Sequence, residues 1–207
     1  MTSSKTFWDK AAPKYATSAI SDMEGYRATL ARTIAHLSPT DRVLELGCGT
    51  GSTALELAPN VARITATDIS PAMIEIAREK AAKAGANNIT FVTGATGDPE
   101  ITETAPHDAI LALNLLHLLP DQAEALAQIN GMLKPGGLFI SKTACLGERW
   151  FFKPLVSVMT LLGKAPFVTH QRVDALRAAI LGAGFEAVEE LTQPGTPPRL
   201  YMVARRV

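Results

Sequence analysis

The sequence of 207 residues predicts an α/β fold, with an open and mostly parallel sheet covered by helices on both faces. Three observations support this prediction. Apolar, β-branched runs of strand length alternate with segments of helical spacing after residue 40. The last two predicted strands are joined by a short Pro/Gly-rich turn, so we expect them to pair antiparallel. No linker rich in Pro, Gly or Ser divides the chain, which predicts a single domain.

The first half of the alternation contains two strands, each followed by a helix. "RVLELG" predicts a buried first strand, and "GSTALELA" (51–58) predicts the helix after it. "ARITATD" (62–68) is a β-branched second strand that ends on an acid. Ser70 then caps a helix whose first turn contains Pro71, where the missing N–H does no harm. Apolar residues keep helical spacing from there to Gly85, which ends the helix.

The second half continues the same pattern. "ITFVTG" predicts a third strand and "HDAILALN" (107–114) a fourth. The next amphipathic helix is expected to stop at "KPGG", and "LFISKT" (138–143) to form the fifth strand. An apolar segment interrupts the alternation before a helix that ends at Gly184. "EAVEEL" and "RLYMVARR" are predicted as the last two strands.

Composition excludes several classes of protein. Lysine plus arginine equal aspartate plus glutamate at 20 each, and this neutral balance disfavours a nucleic-acid binder. Cys48 and Cys145 are far apart and have no metal-ligand spacing, so we expect free thiols and no metal. The first residues lack the apolar run of a secretory signal, and no stretch is apolar enough to span a membrane. We therefore expect a cytoplasmic protein.

The stretch "VLELGCGTG" (43–51) places a glycine-rich turn after the first strand. The dinucleotide fingerprint G-x-G-x-x-G would need a third glycine where Ser52 stands. Glu45 would repel a pyrophosphate but would attract a cation, which disfavours a nicotinamide oxidoreductase. Asp68 ends the second strand, where a carboxylate can accept the hydroxyls of a ribose. These two acids indicate a nucleoside with a cationic group in place of a diphosphate, which is the form of S-adenosylmethionine.

At these motifs the sequence resembles the class I S-adenosylmethionine-dependent methyltransferases, and the resemblance extends over nearly the whole chain. The segments that carry it are "FWDKAAPKY", "VLELGCGTG", "ATDISPAMIEIAREKA", "HDAILALNLLHLLPD", "LKPGGLFISK" and the closing "YMVARR". The resemblance implies a Rossmann-like, seven-stranded sheet in the order 3-2-1-4-5-7-6, with strand 7 antiparallel. It also implies S-adenosylmethionine as the cofactor.

The same resemblance implies roles for individual residues. Glu45 and the glycine turn would hold the methionine part of the cofactor, and Asp68 its ribose. The acid that the family often carries after the third strand is missing, so adenine recognition would fall to backbone groups, Thr96 or Asp98. The full implied set of cofactor-binding residues is Tyr15, Glu45, Gly47, Cys48, Gly49, Gly51, Asp68, Ile69, Met73, Ala95, Thr96 and Asn114.

His117 is the candidate catalytic residue, because it follows the fourth strand at the rim of the expected site. Its neighbours on both sides are leucines, so a histidine packed in the core is an alternative that stays open. Methyl transfer from a sulfonium is a one-step displacement, and a base is needed only if the acceptor must lose a proton. We therefore expect catalysis chiefly by alignment and exclusion of water, without a metal.

Within the single domain, the sequence predicts four parts. Residues 1–38 form N-terminal cap helices, 39–145 the cofactor-binding core, 146–170 an apolar lid, and 171–207 the final helix and strands 6 and 7. The lid prediction depends on an apolar helical face, with packing of this face on the sheet as the alternative. That face consists of Phe151, Leu155, Val158, Met159 and Leu162.

The predicted function is methyl transfer to a small, largely apolar acceptor through an oxygen, nitrogen or sulfur nucleophile. Two alternatives stay open: methylation of a lipid or quinone at a membrane surface, and a cofactor-binding module without catalysis. The protein is expected to be a monomer or homodimer that binds no nucleic acid and is not inserted in a membrane, although peripheral membrane contact is compatible with the lid segment.

Overall fold

The computed structural model describes residues 4–148, 152–162 and 164–207. Seven strands form one sheet in the order β3-β2-β1-β4-β5-β7-β6, and β7 runs antiparallel to both of its neighbours. The predicted strand order and the antiparallel seventh strand are confirmed. The strands are β1 Arg42–Leu46, β2 Arg63–Asp68, β3 Ile89–Thr93, β4 His107–Leu113, β5 Leu133–Ala144, β6 Phe185–Gln193 and β7 Arg199–Arg206.

The helices begin and end largely where the sequence signals stand. The side chain of Ser70 accepts a hydrogen bond from the Met73 amide at the start of the helix after β2, and Gly85 ends that helix with φ of 67°. Asp22 and Asp121 cap two further helices in the same way as Ser70. The helices are α1 Ser4–Thr17, α2 Met23–Ala35, α3 Ser52–Leu57, α4 Pro71–Ala84, α5 Pro99–Thr102, α6 Gln122–Met132, α7 Phe152–Leu161 and α8 Val173–Gly182.

The central strands are buried on both faces. In β1, Val43 packs in the core on one face of the sheet, while Leu44 and Leu46 pack in the core on the other. This two-sided burial explains why β1 is a nearly continuous apolar run. Glu45 lies on the same face as Val43, because side chains in a strand alternate. Glu45 is therefore held on a well-packed strand in the middle of the sheet.

The structure differs from the prediction at the start of β5. The strand begins at Leu133, which pairs with His107, and the next pair is Leu138 with Ala109. "KPGG" therefore forms a bulge inside the strand and not the loop that its turn residues suggested. The pairing of β4 with β5 continues across the bulge, and Lys134 Nζ lies 2.5 Å from Asp108 Oδ1 beside it.

The first two helices lie over the carboxyl ends of the parallel strands. In α1, Asp9 Oδ1 accepts a hydrogen bond of 2.7 Å from Ser70 Oγ. In α2, Thr29 Oγ1 accepts one of 2.7 Å from Lys142 Nζ. These contacts join the N-terminal helices to α4 and β5, so α1 and α2 form a roof above the edge where the predicted site lies.

The segment predicted as a lid contains α7. Val158, Leu161 and Leu162 are exposed there, at 57%, 80% and 62% of their surface. Phe151 and the side chain of Leu155 lie outside the described residues, so the predicted face is seen only in part. Among the described residues, no helix combines the length and apolar composition needed to cross a bilayer.

Candidate active site

A cavity of about 490 Å³ opens at the carboxyl ends of β1, β2, β4 and β5, beneath α1 and α2. Its position flanks the gap between β1 and β4, where the strand order reverses. All but one of the predicted cofactor residues line it. They are Tyr15, Glu45, Gly47, Cys48, Gly49, Asp68, Ile69, Met73, Ala95, Thr96 and Asn114.

The glycines of the turn serve two different purposes. Gly49 has φ of 54°, and a Cβ added there would have only Tyr15 nearby, at 3.7 Å, so its bare backbone faces the cavity. Gly51 has φ of 74°, but a Cβ there would lie 2.9 Å from Ala77 Cβ and 3.0 Å from Phe91 Cε1. Gly51 does not line the cavity. It allows α3, α4 and β3 to pack closely, and its predicted contact with the cofactor stays a prediction.

Glu45 is a buried acid that forms no ion pair within the described part of the chain. Its side chain is almost completely buried, and its Oε2 has no hydrogen-bond partner among the described residues. Burial raises the pKa of Glu45 to about 8, and the negative charge of Asp68 adds to the effect. An unpaired buried carboxylate is costly, so this position fits a ligand that brings a positive charge or a hydrogen-bond donor.

Asp68 holds the glycine turn against the start of α4. Its Oδ2 accepts a hydrogen bond of 3.0 Å from the Gly49 amide, and its Oδ1 one of 2.9 Å from the Ser70 amide. Burial raises the pKa of Asp68, and these two backbone hydrogen bonds oppose the rise. Because a carboxylate has about four acceptor positions, Asp68 can still accept ligand hydroxyls from the cavity.

The opposite end of the cavity carries two basic side chains that the sequence interpretation missed, Lys142 and Arg199. Burial lowers the pKa of Lys142, the charge of Arg199 lowers it further, and Asp22 opposes the change. A signal for both was present. Lys142 lies near the carboxyl end of β5, and Arg199 starts an antiparallel strand, which brings it to the same edge of the sheet.

His117 does not line the cavity. It lies in the 3₁₀ turn Leu116–Leu118, and its backbone oxygen accepts a hydrogen bond of 2.7 Å from the Thr169 amide. Its ring Nδ1 is buried without a hydrogen-bond partner among the described residues. Burial lowers the pKa of His117 to about 4, with a further contribution from Arg199. The ring is therefore neutral at pH 7, and it is half-buried outside the cavity lining, so a catalytic role for His117 stays a prediction.

The region expected to surround adenine is only partly as predicted. Ala95 and Thr96 line the cavity. Asp98 does not, because its Oδ2 accepts a hydrogen bond of 2.8 Å from the Ala95 amide and closes the loop after β3. No described residue of 146–170 lines the cavity either. In the part of the chain that the structure describes, no cluster of His, Cys, Asp or Glu has the form of a metal site.

Comparisons with known proteins agree with this fold and site. Residues 44–139 match a sequence family described as a methyltransferase domain. A ubiquinone biosynthesis O-methyltransferase from Xylella fastidiosa (strain 9a5c) is 32% identical over 142 residues, which are 69% of this chain and 57% of that relative. The chain thus spans a little over half the length of this curated relative.

Two solved structures superpose over nearly the whole chain. The N-methyltransferase NodS from Bradyrhizobium japonicum WM9, in complex with S-adenosyl-L-homocysteine, gives a TM-score of 0.73 at 16% identity and 99% coverage of both chains. Magnesium protoporphyrin IX methyltransferase from Synechocystis PCC 6803, with the same ligand bound, gives 0.73 at 16% identity and 98% coverage of both. At these identities the likeness establishes the fold.

The strand order, the antiparallel β7 and the polar cavity at the switch in strand order define a Rossmann-like class I methyltransferase architecture. The family match and the curated relative agree with it. Residues 44–139 thus match a methyltransferase-domain family, and the chain has the fold of the class I S-adenosylmethionine-dependent methyltransferases.

Proposed function

We propose that the protein is an enzyme that binds S-adenosylmethionine in this cavity and transfers its methyl group, by direct displacement, to a small and largely apolar acceptor. One observation carries the proposal. The unpaired, buried Glu45, the bare backbone of Gly49 and the carboxylate of Asp68 line one cavity. This arrangement suits a nucleoside that carries a positive charge.

The residues present fit the cofactor. Glu45 would hold its ammonium group, the turn around Gly49 its methionine part, and Asp68 its ribose. Ile69 and Met73 would flank the adenine, together with the loop after β3. Tyr15 projects from α1 to within 3.7 Å of the Cβ position of Gly49, so its ring would cover the bound methionine part. When bound, the cofactor supplies a methyl group already activated by its sulfonium.

The rest of the cavity favours catalysis by alignment. Leu113, Leu115, Leu118 and Leu119 line it, which supports an acceptor with an apolar body. The roof formed by α1 and α2 limits the access of water, and a fixed acceptor converts the displacement into an effectively unimolecular step. No histidine among the described residues lines the cavity. The name of the Xylella relative, an O-methyltransferase, favours oxygen as the nucleophile over nitrogen or sulfur.

Residues 146–170 remain our candidate for a lid over the acceptor. The exposed apolar side chains of Val158, Leu161 and Leu162 also support a second candidate function, methylation of a lipid or quinone at a membrane surface. The Xylella relative, named for ubiquinone biosynthesis, is in keeping with this second candidate. Association with liposomes would distinguish it from action on a freely diffusing acceptor.

Isothermal titration calorimetry tests the cofactor assignment. S-adenosylhomocysteine should bind in the micromolar range, at about −7 to −8 kcal/mol, and NAD should not bind. Equal or tighter binding of NAD would contradict the proposal. Incubation with methyl-labelled cofactor and a metabolite or lipid extract, followed by mass spectrometry, then identifies the acceptor. Cofactor binding without any labelled product would favour a binding module without catalysis.

A further inference from the structure

Two basic side chains at one end of the cavity form no ion pair with any acid of the described residues. Lys142 is buried, and its Nζ donates to neutral oxygens, Thr29 Oγ1 at 2.7 Å and the Gly25 carbonyl at 3.5 Å. Arg199 is half-buried, and within the described residues neither it nor Lys142 forms an ion pair. Charges buried in this way are normally paired, so the lack of an ion pair favours a ligand that supplies a carboxylate.

Strand pairing places the two side chains on one face of the sheet. Lys142 of β5 lies opposite Tyr201 of β7, and Arg199 stands two residues before Tyr201. Diagonal neighbours of this kind lie roughly 7–8 Å apart on a common face. That separation leaves room for one small anionic group between an ammonium and a guanidinium.

The same face carries Glu45 in β1. Residues in register with it are Leu111 in β4 and Ile140 in β5, and Lys142 follows Ile140 on the same face. One strand, β4, separates β1 from β5. Because neighbouring strands lie about 4.8 Å apart, the backbone of Glu45 and that of Lys142 are roughly 10 Å apart across the sheet. The cavity therefore has the acids Glu45 and Asp68 at one end, where Lys80 also lies and donates to Thr50 Oγ1 at 2.8 Å, and it has Lys142 and Arg199 at the end beyond them.

The charge at the end with Lys142 and Arg199 indicates a single negative charge on the ligand. Asp22 also lines the cavity near Lys142, and its carboxylate already accepts a hydrogen bond of 2.8 Å from the Gly25 amide. Two cations and this one acid leave a formal charge of one positive unit, which a carboxylate neutralises and a phosphate dianion would exceed. Arginine and lysine both form charge-assisted hydrogen bonds with carboxylates.

We propose that the methyl acceptor carries a carboxylate, and that Lys142 and Arg199 bind it at the β5–β7 end of the cavity. The inference rests on the proposed function, since it names the acceptor class of the same site. With the leucines that line the cavity, it describes an apolar, preferably aromatic, acid whose nucleophilic atom points toward the donor.

The test uses pairs of ligands that have nearly the same shape but differ in charge. Benzoate, 4-hydroxybenzoate and 3,4-dihydroxybenzoate are titrated, each beside its neutral carboxamide, into the protein with and without saturating S-adenosylhomocysteine. The carboxylates should bind about tenfold tighter than their amides or more, and the preference should weaken as salt is raised. Arg199→Gln and Lys142→Met should each abolish the preference. Arg63→Gln removes an exposed cation at the amino end of β2, away from the cavity, and this variant should keep the preference for carboxylates.

The outcomes separate this proposal from the one on which it rests. If no carboxylate binds tighter than its amide, the subsite is refuted, whereas failure of S-adenosylhomocysteine to bind refutes the proposed function. If Arg199→Gln or Lys142→Met weakens S-adenosylhomocysteine binding about tenfold, the cations hold the donor's own carboxylate, and the acceptor subsite is again refuted. Should Lys142→Met fail to fold, the half-buried Arg199→Gln decides alone.

Discussion

The buried carboxyl of Glu45 predicts an unusual dependence of stability on pH. Its pKa in the folded protein is about 8, against an ordinary value of 4.5, chiefly because of burial. Between these values the folded state holds a proton that the unfolded state has lost, so the free energy of unfolding falls as pH rises. At about 1.4 kcal/mol per pH unit, the loss from Glu45 reaches about 5 kcal/mol across the window and stops above pH 8.

The substitution Glu45→Gln isolates this effect, because glutamine stays neutral. Urea unfolding of the two proteins, measured from pH 5 to pH 8, should show the wild type losing about 4 kcal/mol relative to the variant. Titrating groups that do not interact with Glu45 cancel in the difference. Glu56→Gln, which changes an exposed glutamate in α3, should follow the wild type throughout. Parallel curves for the wild type and Glu45→Gln would show that Glu45 is not desolvated and would refute the reasoning.

The same proton reports on ligand binding. If the ammonium group of the cofactor pairs with Glu45, binding must ionise the carboxyl, and about one proton should be released near pH 6.5. Calorimetric titrations of S-adenosylhomocysteine in two buffers of different ionisation enthalpy measure this number directly. Glu45→Gln should release none. Binding to the wild type without proton release would place the ammonium elsewhere.

Three further predictions concern the rest of the site. Asp68→Ala should weaken S-adenosylhomocysteine binding by about 1.5–3 kcal/mol in calorimetry, and unchanged affinity would exclude Asp68 from the site. Gly49→Val should abolish binding because its side chain would enter the cavity, whereas Gly85→Val, with a similar φ of 67° but open space around it, should lower Tm and leave binding intact. Replacing the exposed Val158 and Met159 by alanine should leave Tm and cofactor affinity nearly unchanged but reduce kcat/KM for the acceptor. A lower Tm with normal turnover would contradict the lid.

The strand–helix alternation was sufficient to predict the strands and the antiparallel pairing of the last two, because each strand has its own apolar pattern, whereas the strand order was implied by the resemblance to the methyltransferase family. The start of β5 could not be predicted in this way. "KPGG" has the residues of a turn, and only the pairing of Leu133 with His107 draws it into the sheet. That pair is distant in sequence, so local propensity gives no sign of it.

The site shows the same division between local and long-range information. Residues at the carboxyl ends of strands, such as Glu45 and Asp68, could be placed from the chain alone. Gly49 and Gly51 look alike in sequence, and only the packing of distant side chains against Gly51 tells them apart. Nothing local in the sequence marks Lys142 and Arg199, and only the antiparallel pairing of β7 with β5 brings them to one end of the cavity.

The strand order reverses between β1 and β4, so the strands on one side of the cavity come from the first half of the chain and those on the other side from the second half. β1 to β3, which carry the acids and the glycine turn, come from residues 42–93, and β4 to β7 come from residues 107–206. The strands on the two sides can therefore change separately. Under the proposed function, substitutions in the later strands would change which molecule receives the methyl group while the earlier strands keep most of the donor site, so acceptor specificity would be open to separate engineering.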